Sequence, residues 1–354
     1  MITKLGSVIT EYSVRNKLDE DIPVYSVTNE QGFCTGYFSK DVASKDRTTY
    51  KIVPRGYFAY NPSRINVGSV DWQDCQDRVI VSPLYVVFGV DERLDQQYLL
   101  HYLKSDITLT YIKALATGSV RDNLKFSILQ EFPINLRPIE EQRKIASILD
   151  RIDRVIALRK EELETLDNLV KSRFIELFGD PLKNDKGLPM VSGEELFKLS
   201  NGKALPNSKR FDEGIPAYGG NGISWYTDGI LCDYDTIIVG RVGFQSGNVH
   251  LAKAPLWVTD NAMYISSING EECDIRFLCA LMEQIDFTRY QDAGDLKKIT
   301  QKPFMQMHYL MPPISFQKQY IAFVEQTDKS KLAVQKSLEE LEILKKSLMQ
   351  QYFG

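Results

Sequence analysis

Residues 138–179 and 313–354 of this chain align without a gap at a constant offset of 175. Pro138 and Ile139 match Pro313 and Ile314, Gln142 matches Gln317, and Asp153 matches Asp328. Leu163, Glu164, Leu166 and Leu169 match Leu338, Glu339, Leu341 and Leu344. Lys171 and Ser172 match Lys346 and Ser347, and Phe178 and Gly179 match Phe353 and Gly354. That makes 12 identities in 42 positions. Solenoid repeats run about 20–50 residues, so this period is far too long for one. It implies a duplicated unit, one globular domain followed by one long helix, and four segments: 1–137, 138–179, 180–312 and 313–354.

Both copies read as helix, and each opens with proline, which suits a first turn. In the first copy Ile145, Leu149, Ile152, Ile156, Leu163, Leu166, Val170 and Leu177 fall on steps of four and three, interrupted by Arg159 and Arg173. This is the 3.5-residue period of a coiled-coil seam. In the second, Val324, Val334, Leu338, Leu341 and Leu348 fit the same frame, while Thr327, Lys331 and Lys345 weaken it. Roughly 38 helical residues span about 57 Å. A lone helix cannot bury such a stripe, so the expectation is that the two copies pair with each other. Matched lengths and the constant offset predict an antiparallel, pseudo-twofold arrangement with a globular domain at each end of a shared rod. Gly179, followed by Asp180 and Pro181, is expected to end the first helix.

Each globular segment puts strands before helices, which is the order of an α+β domain. In 1–137 the strand candidates are 24–27, 56–60, 79–81 and 84–88, rich in β-branched and aromatic residues beside turn formers. Tyr98, Leu99, Tyr102 and Leu103 then recur at helical spacing, with Asp91 or Asp95 as N-cap, and Gly118 ends a further helical stretch. In 180–312 a glycine-rich turn at 218–222 precedes strands at 236–239 and 263–265. Helical sequence begins near Asp274. The two globular segments share little identity outside the long helices, as expected if they recognise different things.

Net charge is −4. Basic and acidic residues number 16 and 16 in 1–137, 8 and 9 in 138–179, 13 and 17 in 180–312, and 6 and 5 in 313–354. No segment has the basic excess that by itself signals nucleic-acid binding. Any DNA contact must therefore come from local clusters or a more basic partner. The five cysteines are odd in number and form no CxxC pair, which argues for a reducing compartment and against a zinc site or a disulfide frame. Residues 1–4 have no apolar h-region, so no signal peptide is expected, and the apolar run 79–90 is too short to span a bilayer. A cytoplasmic location is expected.

The stretch 138–145, Pro-Ile-Glu-Glu-Gln-Arg-Lys-Ile, resembles the opening of the conserved helices in specificity subunits of type I restriction–modification enzymes. Residues 161–163, 171–174 and 178–179 resemble the end of the same helix, and 313–354 resembles the second copy, departing from the usual opening at Ser315 and Phe316. The stretches 215–222 and 56–62 are similar to sequences in that family's target recognition domains. The resemblance covers essentially the whole chain. It implies two α+β target recognition domains, 1–137 and 180–312, joined by an antiparallel coiled coil. It also implies a non-catalytic reader of double-stranded DNA. Each domain would read half of a split, asymmetric site in the major groove, and the paired helices would set the gap. Two modification subunits, carrying the S-adenosylmethionine that this chain itself would not hold, would methylate adenine. Restriction subunits would join to translocate and cut.

The enzyme motifs are absent. There is no GxxxxGK[ST] loop, and 240–243 lacks the spacing of a dinucleotide fingerprint. Residues 61–64 only faintly echo an amino-methyltransferase motif and read as a turn. His101, His250 and His308 are scattered. Candidate DNA contacts are polar and cationic residues in turns: Lys45, Arg47, Tyr60, Asn61, Arg64, Asn66 and Ser69 in the first domain, with Arg121, Asn123 and Lys125 for phosphates. In the second they are Lys203, Lys209, Arg210, Tyr218, Asn221, Arg241, Gln245 and Asn248, with Lys297 and Lys298 for phosphates. Arginine can bridge guanine O6 and N7, and asparagine or glutamine adenine N6 and N7, while phosphate contacts set register. Trp72, Trp225 and Trp257 read as core. The rival reading is a two-headed scaffold that holds proteins through a coiled-coil spacer.

Overall fold

A computed structural model of the chain describes residues 1–35, 47–116, 123–269, 272–294 and 297–354. The chain divides into two units: Met1–Lys160 with Lys336–Gly354, and Glu161–Gln335. Each combines one head with a stretch of both long helices, Ile139–Phe178 and Ile314–Phe353, which have 40 residues apiece. The first ends as the sequence predicts. Gly179 has φ +75°, and its amide donates to Ile175 O at 2.8 Å. This left-handed turn favours glycine, and a Cβ there would also displace the Asp185 carboxylate, 2.0 Å away.

In the first unit an antiparallel sheet runs in the order Ile9–Glu11, Val86–Val90, Phe58–Tyr60, Val70–Trp72. Phe58 and Phe88 stack across it at 4.9 Å. The head helix Gln96–Leu103 begins at Asp95, which accepts from Tyr98 N. Asp91 instead binds Arg93. Tyr98, Leu99, Tyr102 and Leu103 join one core with Ile145, Ala146 and Leu149 of the first long helix and Met349 of the second. Phe353 lies 5.1 Å from the Tyr98 ring and 5.8 Å from that of Tyr102. The helices run antiparallel here, since Asp153 pairs with Lys345 at 2.5 Å and Lys160 with Glu342 at 3.5 Å. The strand expected at 84–88 lies at Val86–Val90, because Leu84 is exposed and precedes it. Gly118 lies outside the described residues.

The second unit repeats the plan. Its sheet runs Phe197–Asn201, Ala262–Ile268, Thr236–Gly240, Val249–Ala252, all antiparallel. Beside it the hairpin Ile215–Gly219 and Gly222–Thr227 takes Trp257–Val258 as a parallel neighbour. The head helix Ile275–Glu283 is capped by Asp274. Phe174, Phe178, Phe277 and Tyr320 bury their rings together. The helices again run antiparallel: Asp167 pairs with Lys331 at 2.6 Å, and Arg173 lies 5.8 Å from the Phe323 ring.

One glutamine in each unit fastens head to helix, and the two are the aligned pair Gln142 and Gln317. Both are fully buried. Gln142 Oε1 accepts from Asp95 N at 2.9 Å, and its Nε2 donates to Arg93 O and Arg137 O at 2.7 Å each. Gln317 Oε1 accepts from Asp274 N at 2.9 Å, and its Nε2 donates to Glu272 O at 2.7 Å and Pro312 O at 2.8 Å. Each amide thus satisfies the residue that caps a head helix and a carbonyl just before the long helix. Buried polar groups need such partners.

Candidate nucleic-acid interface

In the second unit the candidate surface is built from backbone that only glycine permits. A Cβ on Gly240 would meet Gln245 O at 2.5 Å and Gly220 O at 2.7 Å, and one on Gly220 would meet Gly240 Cα at 3.1 Å. These contacts seat the hairpin turn at 219–222 against the loop 241–247. The loop closes on itself: Gly240 N donates to Asn248 O and Gly247 N to Gly240 O, both at 2.8 Å, and Ser246 N donates to Gly243 O at 3.0 Å. Gly243 and Gly247 have φ of +90° and +96°. The stretch 297–299 lies alongside, with Gly243 N donating to Lys297 O at 2.8 Å and Ile299 N to Arg241 O at 3.0 Å.

The fold therefore brings Asn221, Arg241, Gln245, Asn248, Lys297 and Lys298 into one neighbourhood. Asn221, Asn248, Lys297 and Lys298 are exposed, Arg241 and Gln245 half-buried. Asn221 and Asn248 also line a cleft of about 530 Å³ with His250 and Asp286. His250 Nε2 is buried and finds no hydrogen-bond partner among the described residues. Burial alone lowers that imidazole's pKa from its ordinary value, favouring the neutral ring. Tyr218, half-buried, lies 5.9 Å from the His250 ring. A cleft with amide groups and a neutral imidazole can donate to and accept from base edges.

Lys203, Lys209 and Arg210 occupy a different stretch. Lys209 is held by Asp228 at 2.8 Å, Arg210 lies 5.3 Å from the Trp225 ring, and Lys203 O accepts from Trp257 Nε1 at 3.0 Å. Trp225 is 45% exposed and so is not core, contrary to the sequence expectation. It lies on the hairpin strand Gly222–Thr227, where Ile223, Ser224 and Trp225 are all exposed. Trp72 and Trp257 are half-buried and each donates a hydrogen bond.

In the first unit a tight loop at 61–69 carries the candidates. Asn61 Oδ1 accepts from Ser63 N at 3.1 Å and Ser63 Oγ at 2.9 Å, and Gly68 supplies φ +86°. Leu124 N donates to Pro62 O at 3.1 Å, which places Asn123 and Lys125 beside the loop. Asn61, Asn123 and Lys125 line one cleft of about 630 Å³, and Asn61 and Arg64 line another of about 390 Å³. Asn66 is half-buried in the same loop.

Two candidates in this unit do not reach solvent. Tyr60 is fully buried and donates to Leu124 O at 3.0 Å. Ser69 is 3% exposed, with its hydroxyl donating to Val27 O at 2.6 Å. Tyr60 ends a strand buried on both faces and Ser69 lies in the turn beside it, so both face inward and position the loop instead of reaching DNA. Arg47 lies 3.5 Å from Asp21 and lines neither cleft. Lys45 and Arg121 lie outside the described residues. The second cleft is completed by Thr28, Asn29 and Gln31 of the hairpin Ser26–Thr28 and Gly32–Cys34, residues that sequence reasoning passed over. Their polar run before Gly32 is a turn signal that could have revealed them.

Each unit thus carries a polar loop surface with amide and cationic side chains, a chemistry that suits base edges and phosphates. A family model described as "Type I restriction modification DNA specificity domain" matches residues 8–168 and 187–343. The chain belongs to this family and is a non-catalytic DNA-specificity subunit of the type I restriction–modification class. It is 22% identical over 343 residues to a "Putative type I restriction enzyme MjaX specificity subunit" from Methanocaldococcus jannaschii, covering 88% of this chain and 80% of that protein. A "Putative type I specificity subunit S.MpnORF638P" from Mycoplasma pneumoniae is 27% identical, covering 53% of each chain. The crystal structure of a type I restriction–modification S subunit from M. genitalium matches at 19% identity and TM-score 0.64, covering all of this chain and 96% of that one. A chain from a study of complex assembly and conformational transition of the type I system matches at 17% identity and the same TM-score, covering all of this chain and 97% of that one.

Proposed function

We propose that each unit reads one half of a bipartite, asymmetric site in double-stranded DNA, and that the two long helices set the gap between the halves. Two modification subunits, holding S-adenosylmethionine that this chain does not bind, would methylate an adenine in each half. Restriction subunits would join the same assembly. The observation that carries this reading is the gathering of Asn221, Arg241, Gln245, Asn248, Lys297 and Lys298 around one glycine-shaped loop. Asn61, Arg64, Asn123 and Lys125 are gathered around another in the first unit. No described helix is long and apolar enough to cross a membrane, and a cytoplasmic location accords with a DNA substrate.

The test is to co-express the chain with its modification subunits and map methylated adenines. One bipartite motif is expected. Methylation at unrelated sequences, or assembly without DNA preference, refutes the reading. Binding measured at two salt concentrations separates it from a protein scaffold, since phosphate contacts give a steep salt dependence.

A further inference from the structure

Phe244 is 89% exposed, above every other large hydrophobic side chain among the described residues. It stands on the loop whose amides and carbonyls are already committed: Gly243 N to Lys297 O, Ser246 N to Gly243 O, Asn248 N to Gln245 O at 3.1 Å. The two positive-φ glycines on either side fix its shape. The ring is thus carried on a braced loop, and holding it there in solvent contributes nothing to the core. Around it the backbone sets Arg241, Lys297 and Lys298, with Gln245 and Asn248 on the same turn. Asp260 and Asp292 flank the patch through backbone contacts, the Asp260 carbonyl accepting from Arg241 Nη1 at 3.4 Å. The chemistry complementary to an apolar plane beside three cations is an apolar stack edged by anions, which is a duplex at a base-pair step.

We propose that Phe244 is a wedge that enters the DNA at one step of the half-site read by the second unit, partly unstacking it. The inference rests on the DNA-reading function above and adds a positioning residue that makes no hydrogen bond to any base. Aromatic and apolar side chains inserted in this way open a step at the expense of stacking, which contact with the bent duplex offsets. A step that opens easily then becomes part of the recognised sequence although nothing reads its base edges.

The experiment uses the assembled complex of this chain with its modification subunits and duplexes carrying the mapped site. 2-Aminopurine is placed at successive positions of that half-site. With the unaltered chain, fluorescence is expected to rise on binding at a position other than the methylated adenine. Phe244→Ala should abolish that rise, leave any rise at the methylated adenine, and weaken binding roughly tenfold, the scale of one lost aromatic stack, with the salt dependence unchanged. Phe244→Leu should keep the rise in part. Arg241→Ala should lessen the salt dependence without removing it. A circular-dichroism melt confirms that the variants fold. The proposal is overturned if no such position exists, if Phe244→Ala keeps the signal, or if Phe244→Ala blocks assembly with the modification subunits. Sequence-specific binding by the unaltered complex with no opened step removes the wedge and leaves the DNA reader standing. Failure to bind any DNA removes both.

Discussion

At the residue scale the buried amides do the most. Gln142 and Gln317 each make three hydrogen bonds to backbone, one of them to the residue that caps a head helix. Alanine there strands an N–H and two carbonyls, and an unpaired buried group costs about 1–3 kcal/mol. Gln142→Ala should therefore destabilise the first unit by about 3 kcal/mol and leave the second unit's protection intact, and Gln317→Ala should do the reverse. Hydrogen exchange at Gln96–Leu103 and Ile275–Glu283 reads both. His101 offers a second test. Its ring is 8% exposed and lies 2.7 Å from Asp150, with Asp153 at 4.0 Å and paired to Lys345. Burial lowers its pKa below the ordinary 6.5, and the two aspartates only partly oppose this. The folded state thus binds a proton less readily than the unfolded chain. Its contribution is undiminished above pH 6.5, and stability falls as pH drops below that value. Replacing His101 with Gln should flatten the fall of the denaturation midpoint as pH drops below 6.5, and an unchanged slope there would count against this ring.

At the scale of elements, the polar breaks in the helical seam have partners. Lys331 and Lys345 sit where the stripe calls for apolar residues. Each reaches an aspartate on the other helix within its own unit, Asp167 at 2.6 Å and Asp153 at 2.5 Å. Burial pulls the Lys331 ammonium down, but Asp167 and Asp328 more than reverse that and leave it raised. Polar seam residues specify register at some expense of stability. A double-mutant cycle on Lys331 and Asp167 should give a coupling of at most about 1 kcal/mol, shrinking in high salt, because Asp167 is 60% exposed. The helices and their seam are legible in the sequence because their period is local; of the two N-cap candidates there the structure uses Asp95, and Asp274, where helical sequence begins, caps the other head helix. The inward Tyr60 and Ser69 and the outward Phe244 and Trp225 are not legible there. Whether such a side chain faces core or solvent depends on which backbone approaches its loop: Leu124 and Val27 meet Tyr60 and Ser69, while the packed glycines at 220 and 240 seat the loop that carries Phe244. The matched glutamines are visible as a pair, but two of each one's three backbone partners lie more than 40 residues away.

For the whole molecule, the proposed ruler makes a numerical prediction. Deleting one heptad from each long helix preserves the seam and removes a rise of about 10.5 Å, or about three base pairs at roughly 3.4 Å each. Mapped methylation should move to sites with a gap shorter by about that number, and an unchanged gap would rule out the helices as the spacer. The division of the chain carries a further consequence. The second unit is one uninterrupted stretch, whereas the first is closed by Met349 and Phe353, more than 240 residues after the tyrosines they cover. During synthesis, the head that is translated earliest must wait for the closing turn of the last helix, while its younger sibling can mature first.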